Sequence, residues 1–359
     1  MKASNDNRVR RRSVGTPVSP PRSRALLGVA GVWATILAGS VPVSAQSGDS
    51  WPRFNPVHRR DNGSMMRLVR PLTEPLEQSV VQVLSGGRPV ALATVVSEDG
   101  YCVTKRSELS GDPIRVRLSD GKLFPARVAA VRRGNDLALL RIDTEVPLTP
   151  VEFCDDPCEV GRFLISAGRG GRPIGLGVVG VPPRPISHTG RLGVFLAAAD
   201  VGGAIVQGIW PGSGAERAGL EPGDRILAIN GEEQPDRARV MDTLHAMYPG
   251  EIVRLTLERG GSTLDVDAQM RDSTVMQESP NDAKVNGRRN RRLSGFEQAI
   301  QHDTVLSPEE CGGPVLDAEG RVVGLNIARA GRVVSYALPA TVVAKQTREM
   351  LAEAVANSN

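Results

Sequence analysis

Four cysteines and four histidines are the residues best suited to chemistry in this chain. Cys311 stands before Gly312-Gly313-Pro314, a turn-forming run. A cysteine attacks as its thiolate, which needs a depressed pKa, usually from a neighbouring histidine or lysine. His302, nine residues before Cys311, sits on the strand leading into that turn and is expected to pack beside it rather than face the sulfur. His58 lies in a polar stretch, His188 at the edge of a second unit and His245 on a helix of that unit. Cys102 reads as a small buried core residue. Cys154 and Cys158 bracket Asp155-Asp156-Pro157, where a short disulfide and two free thiols both fit. That segment offers too few soft ligands for a metal, so no metal and no cofactor is expected.

The elements that must position these residues are mostly strands. Arg88–Val96, the turn Ser97-Glu98-Asp99-Gly100 and Tyr101–Thr104 read as one hairpin. Pro113–Leu118, the turn Ser119-Asp120-Gly121 and Lys122–Val131 read as a second, and Asp136–Ile142 is an apolar buried strand. Short strands with turn signals at this spacing argue for a barrel or sandwich. Residues 190–271 form a second unit, with a helix near Arg237–Met247 and a hairpin around Gly260-Gly261. Residues 272–294 are polar and end in a basic cluster, which reads as a solvated, mobile loop. From Phe296 the chain is β-like again, and Pro339–Ala356 has helical character.

At 359 residues the chain is long enough for two or three domains. With 40% hydrophobic and 23% charged residues it is globular rather than disordered. Residues 1–45 carry seven Lys and Arg against one acid, and without them 37 bases face 39 acids. The remaining charge balance therefore gives no reason to expect nucleic acid as a partner. The basic stretch Arg8–Arg24, the apolar run Ala25–Gly39 and Val43-Ser44-Ala45 follow the order of an export signal cleaved after Ala45. Fifteen residues are short for a membrane span, so a membrane anchor is expected only if the signal stays uncleaved. The mature part is expected in the periplasm or outside the cell.

Pro308–Asp317 (PEECGGPVLD) resembles the nucleophile loop of trypsin-like serine proteases of the HtrA/Deg family, G-N-S-G-G-P-L-L. Asp99–Leu109 (DGYCVTKRSEL) resembles the family's histidine segment, and Asn135–Ile142 (NDLALLRI) its aspartate segment. Pro211–Gly231 resembles bacterial PDZ modules, with Gly190–Val194 as the carboxylate-binding loop. The resemblance implies a mainly β fold: a trypsin-like double β-barrel with a PDZ domain inserted in the second barrel. It divides the chain into a signal peptide (1–45), a linker (46–68), the first part of the protease domain (69–187), the PDZ domain (188–272), a flexible basic linker (273–294), and the second part of the protease domain with a C-terminal helix (295–359).

Carried over position by position, the resemblance puts Asp136 at the orienting aspartate, Ser107 at the histidine and Cys311 at the serine. Glu309 replaces the glycine whose N–H helps form the oxyanion hole. Ser107 cannot act as a general base near neutral pH, and loss of the base alone costs on the order of 10⁶ in turnover. Lys105 and Arg106 read as ordinary loop charges, the alternative being that they polarise the thiol, and Cys311 reads as an accessible thiol of ordinary pKa. The expected function is that of an exported pseudoprotease that binds peptides or unfolded proteins by their C-termini, with little or no proteolysis. The alternative is an active endopeptidase of envelope quality control using Cys311. In the PDZ unit, Arg191, Leu192, Gly193 and Val194 are the expected peptide-binding residues, with Val194–Ala198 as the receiving strand and Val240 and Leu244 beside the pocket. A homo-oligomer is compatible with the resemblance.

Overall fold

The computed structural model describes residues 60–357, Pro157 excepted. The expected export signal lies outside the described residues. The linker expected to run to residue 68 ends earlier, because α1 (Gly63–Thr73) is already helical. Asn62 caps it, its Oδ1 accepting the N–H groups of Ser64 and Met65 at 2.9 and 3.0 Å. That satisfies two of the donors orphaned at a helix start.

Six antiparallel strands then close a barrel: β1 (Val80–Ser85), β2 (Arg88–Ser97), β3 (Tyr101–Lys105), β4 (Ile114–Arg117), β5 (Leu123–Arg132) and β6 (Leu137–Ile142), in the order β1-β2-β3-β6-β5-β4. Gly100 turns β2 into β3 with φ of 89°, and a Cβ there would come within 3.0 Å of the Ile142 carbonyl oxygen. Only glycine takes that conformation without strain. The apolar run of β6 is buried at five of its six residues. Val83, Val95, Cys102, Val116 and Leu140 fill the barrel.

A second barrel begins with β7 (Phe163–Ala167) and β8 (Pro173–Ile186), and the chain leaves it unfinished. The inserted unit follows: β9 (Gly190–Arg191), β10 (Val194–Ala198), β11 (Ala204–Ile209), α2 (Gly214–Arg217), β12 (Arg225–Ile229), β13 (Glu232–Glu233), α3 (Arg237–His245), β14 (Ile252–Arg259), β15 (Ser262–Gln269) and β16 (Arg271–Asp272). Its sheet runs β10-β11-β12-β14-β15, with β13 on β12. β9 and β16 pair separately, Gly190 opposite Asp272, so the unit's two ends meet. Its own core includes Val206, Ile226, Val240, Leu255 and Leu257. After α4 (Ser273–Met276) and α5 (Pro280–Asn286) the chain returns as β17 (Phe296–His302), β18 (Pro314–Leu316), β19 (Val322–Gly331) and β20 (Val334–Pro339). These close the second barrel as β17-β20-β19-β18-β7-β8. The fold is therefore mainly β, two closed barrels with a unit inserted between strands of the second. Helix α6 (Ala340–Ala356) packs Val343 and Met350 against Leu139, Phe296 and Leu325, where the barrels meet.

The segment expected to be a mobile basic linker, 273–294, is instead packed against the protein. It holds two short helices, and Asn290, Arg292, Leu293 and Ser294 are all buried. Arg292 is buried because neutral acceptors and aromatic faces await it. Its Nη2 donates to the Gly134 carbonyl at 2.8 Å, its Nη1 to that of Arg133, and its Nε to that of Ser294 at 2.9 Å. The guanidinium carbon lies 3.9 Å from the centre of the Tyr248 ring. Stacking and a full set of acceptors are what let a guanidinium leave water.

Candidate functional site

The fold brings Ser107, Asp136 and Cys311 to the junction of the barrels, with Glu309 one turn before Cys311. Asp136 follows a 3₁₀ turn ahead of β6 and has a left-handed φ of 59°. Its Oδ1 accepts the Ser107 N–H at 2.9 Å, and its Oδ2 accepts the Ser107 hydroxyl at 2.8 Å. Oδ2 also accepts from the Lys105 ammonium at 2.5 Å, both side chains being wholly buried. Lys105 donates further to the Arg292 carbonyl at 3.2 Å. Lys105 is thus no ordinary loop charge. It closes strand β3 on the face shared by Tyr101 and Val103, which looks to the junction of the barrels, and a buried ammonium there requires an anion.

Cys311 is equally enclosed, which corrects the expectation of an accessible thiol. Its Sγ faces Asn290 Oδ1 at 3.2 Å. Asn290 comes from the segment joining the inserted unit back to the barrel. Its Nδ2 donates to Glu108 Oε1 at 3.0 Å and to the Pro308 carbonyl at 3.1 Å, and its Oδ1 also accepts the Arg329 N–H at 2.7 Å. Burial pushes the Cys311 thiol up to about 12, outweighing the opposite pull of Lys105. Among the described residues no hydrogen bond joins Ser107 to Cys311. His302 bonds Thr304 at 2.9 Å through Nδ1, and burial lowers it to about 4.

The turn before Cys311, where the resemblance expects an oxyanion loop, is also closed. In trypsin-like enzymes the nucleophile's own N–H and that of the residue two before it bind the developing oxyanion. Here residues Pro308–Glu310 form a 3₁₀ turn, and the Cys311 N–H donates to the Pro308 carbonyl at 3.3 Å. The Glu310 carboxylate accepts the Ser307 N–H at 2.6 Å and holds that turn. Glu309 pairs with Arg288, a second group from the segment after α5.

The inserted unit leans on the same place. A Cβ on Gly250 would meet the Ser107 Cβ at 3.1 Å, so the loop before β14 rests on Ser107. Next to it, Glu251 accepts from Arg106 Nη1 at 3.1 Å and from Arg133 Nε and Nη2 at 2.8 and 2.7 Å. Burial raises the Glu251 carboxyl, but the bonds from Arg133 and the Tyr248 N–H outweigh it and leave the group below the usual range. Sequence reasoning missed Lys105, Asn290, Arg292 and Glu251. One signal was present: an aspartate kept at position 136 without its histidine needs another cation, and Lys105 is two residues from the gap.

A separate groove lies in the inserted unit between β10 and α3. It is a cavity of about 310 Å³ whose lining includes Arg191, Leu192, Gly193, Val194, Leu196 and Leu244. Val240 lies in the unit's core rather than in that lining. β10 pairs with β11 alone, and on its other edge the Leu196 carbonyl accepts from Arg237 Nε at 2.9 Å. Gly193 has φ of 86°, and the Arg191 Nη1 donates to the Gly190 carbonyl at 2.7 Å. Cys154 and Cys158 are unbonded thiols, and burial raises Cys102 to about 12. No helix among the described residues is long and apolar enough to cross a membrane.

Residues 177–270 match the PDZ domain family. A probable periplasmic serine endoprotease, DegP-like, from Rhizobium meliloti is 23% identical over 302 residues, covering 60% of this chain and 60% of that protein. The periplasmic pH-dependent serine endoprotease DegQ of Escherichia coli is 27% identical over 261 residues, covering 49% and 57%. The MamO protease domain of Magnetospirillum magneticum aligns with 76% of this chain and 96% of its own at 18% identity, with a TM-score of 0.37. The chain thus spans no more than 60% of the length of these two curated relatives. It carries a PDZ domain and is similar to HtrA-like periplasmic serine proteases.

Proposed function

We propose that this protein is an exported HtrA-like pseudoprotease that binds peptides or unfolded proteins by their C-termini through its PDZ groove. The observation that carries the reading is the Lys105–Asp136–Ser107 cluster. The carboxylate that would orient a catalytic histidine is occupied by an ammonium and a hydroxyl, and neither can take a proton from Cys311. With the thiol buried and its N–H spent on Pro308, nucleophile and oxyanion hole are missing as well. What remains is the edge of β10 away from β11, where an extended C-terminus can add as a strand, its carboxylate held by the 190–194 loop and its last side chain beside Leu192, Val194 and Leu244. The names of the relatives support a periplasmic location.

The test is made on the full purified chain. Casein should survive prolonged incubation, and free-acid peptides from a C-terminal library should bind while their amidated forms do not. Casein cleavage that disappears in Cys311→Ala would promote the endopeptidase reading. Equal binding of free and amidated peptides would end the proposal of carboxylate capture.

A further inference from the structure

A second cavity, of about 480 Å³, lies between the PDZ domain and the segment that returns to the barrel. Its lining carries four arginines, Arg217, Arg271, Arg289 and Arg291, and two carboxylates, Asp272 and Glu278. The charges are not paired off within it. Glu278 holds Arg289, and Arg291 reaches Glu108 outside the cavity at 3.7 Å. Asp272 is spent on neutral donors: its Oδ1 accepts from Thr274 N and Oγ1 at 3.0 and 2.6 Å, and its Oδ2 from Ser294 Oγ at 2.8 Å. Arg271 is positioned by the Gly212 carbonyl, an uncharged acceptor. Among the described residues neither Arg217 nor Arg271 has a carboxylate partner.

We propose that this arginine-lined cavity is a binding site for a phosphate group, free or carried on a small monoester. Arg217 and Arg271 outnumber Asp272, the one lining carboxylate without a cationic partner, so the cavity keeps a net positive charge, and a phosphate can take both forks where a carboxylate takes one. Guanidinium forks bind tetrahedral oxyanions through paired N–H donors, and here Arg289 and Arg271 are already held in place by Glu278 and Gly212. Like charges gathered in a partly buried concavity repel more strongly than in water, and an anion relieves that. In keeping with this, burial and then the charges of Arg217 and Arg289 hold Arg271 below the usual arginine range. The site is distinct from the peptide groove and does not depend on it.

Titration calorimetry on the full chain at fixed ionic strength, with inorganic phosphate, glycerol phosphate and acetate, tests this. Saturable binding of either phosphate and none of acetate is expected, and preference between the two phosphates identifies the source. Arg271→Gln and Arg217→Gln should each weaken binding about tenfold, the loss of one charge-assisted hydrogen bond. Arg217 is exposed, so its variant tests the site even if Arg271→Gln does not fold. Lys284→Gln, outside the lining, should bind as the parent does. Absence of saturable binding, equal binding of acetate, or unchanged affinity in Arg217→Gln would overturn the proposal.

Discussion

The Lys105 ammonium and the Asp136 carboxylate lie 2.5 Å apart with no exposure to solvent. In an active protease of this architecture the same carboxylate faces a histidine. Here its lone pairs are taken up by Lys105 and by two groups of Ser107. Placing a histidine at 107 and a serine at 311 is therefore not expected to create a protease. Ser107→His with Cys311→Ser should show no casein hydrolysis above background, because the new imidazole finds Asp136 occupied and Gly250 in its space. Turnover by that double variant would show that the carboxylate is free to orient a base.

The same pair makes a stability prediction. Lys105→Met strands a buried carboxylate and Asp136→Asn strands a buried ammonium. Each should cost about 3–5 kcal/mol in chemical denaturation. The double variant should lose much less than the sum, since neither charge is then left alone. Additive losses in that cycle would mean that the ion pair contributes no coupling.

For Cys311 the expectation is inertness in the native state. A thiol raised to about 12 by burial holds a negligible thiolate fraction at pH 8. Iodoacetamide should label it no faster than the protein opens. Asn290→Ala removes the group facing the sulfur and the bonds to Glu108 and Pro308, and labelling at pH 8 should then rise at least about tenfold. Equal rates in parent and variant would show that Asn290 does not guard the site.

Stability should also fall on the acid side through His302. Its folded value of about 4 lies below the ordinary 6.5, so the unfolded chain takes the proton first. The contribution is fully present above pH 6.5 and is lost as the pH falls through 4, amounting to up to about 3 kcal/mol. His302→Gln should flatten the acid limb of a stability–pH curve between pH 6.5 and 4. An unchanged limb would place the acid sensitivity elsewhere.

The strands were legible because their signals are local. The turn at Ser119-Asp120-Gly121, the apolar run of β6 and the glycine turn at Gly100 each lie within a few residues. The insertion was legible from the order of motifs along the chain. The closure of the site was not, because its partners are far apart in sequence. Lys105 meets Asp136 from 31 residues away and the Arg292 carbonyl from 187. The basic cluster at 288–292 looked solvated because charge composition says nothing of carbonyls. Arg292 is held by main-chain oxygens of Arg133 and Gly134 and by the Tyr248 face, none of which leaves a trace in a charge pattern.

The pairing of Gly190 with Asp272 bears on how the second barrel assembles. β8 and β17 are neighbours in that barrel, yet the whole PDZ domain lies between them in the chain. Closing a slack loop of roughly a hundred residues costs about 4 kcal/mol of chain entropy, by the (3/2)RT ln n scaling. Once β9 and β16 have paired, the slack shrinks to residues 187–189 and 273–295, and by the same scaling about 1 kcal/mol of the cost has been met inside the insert. Barrel closure is thereby favoured by a folded insert. A lesion in the PDZ core would appear as slower closure of a barrel it does not touch.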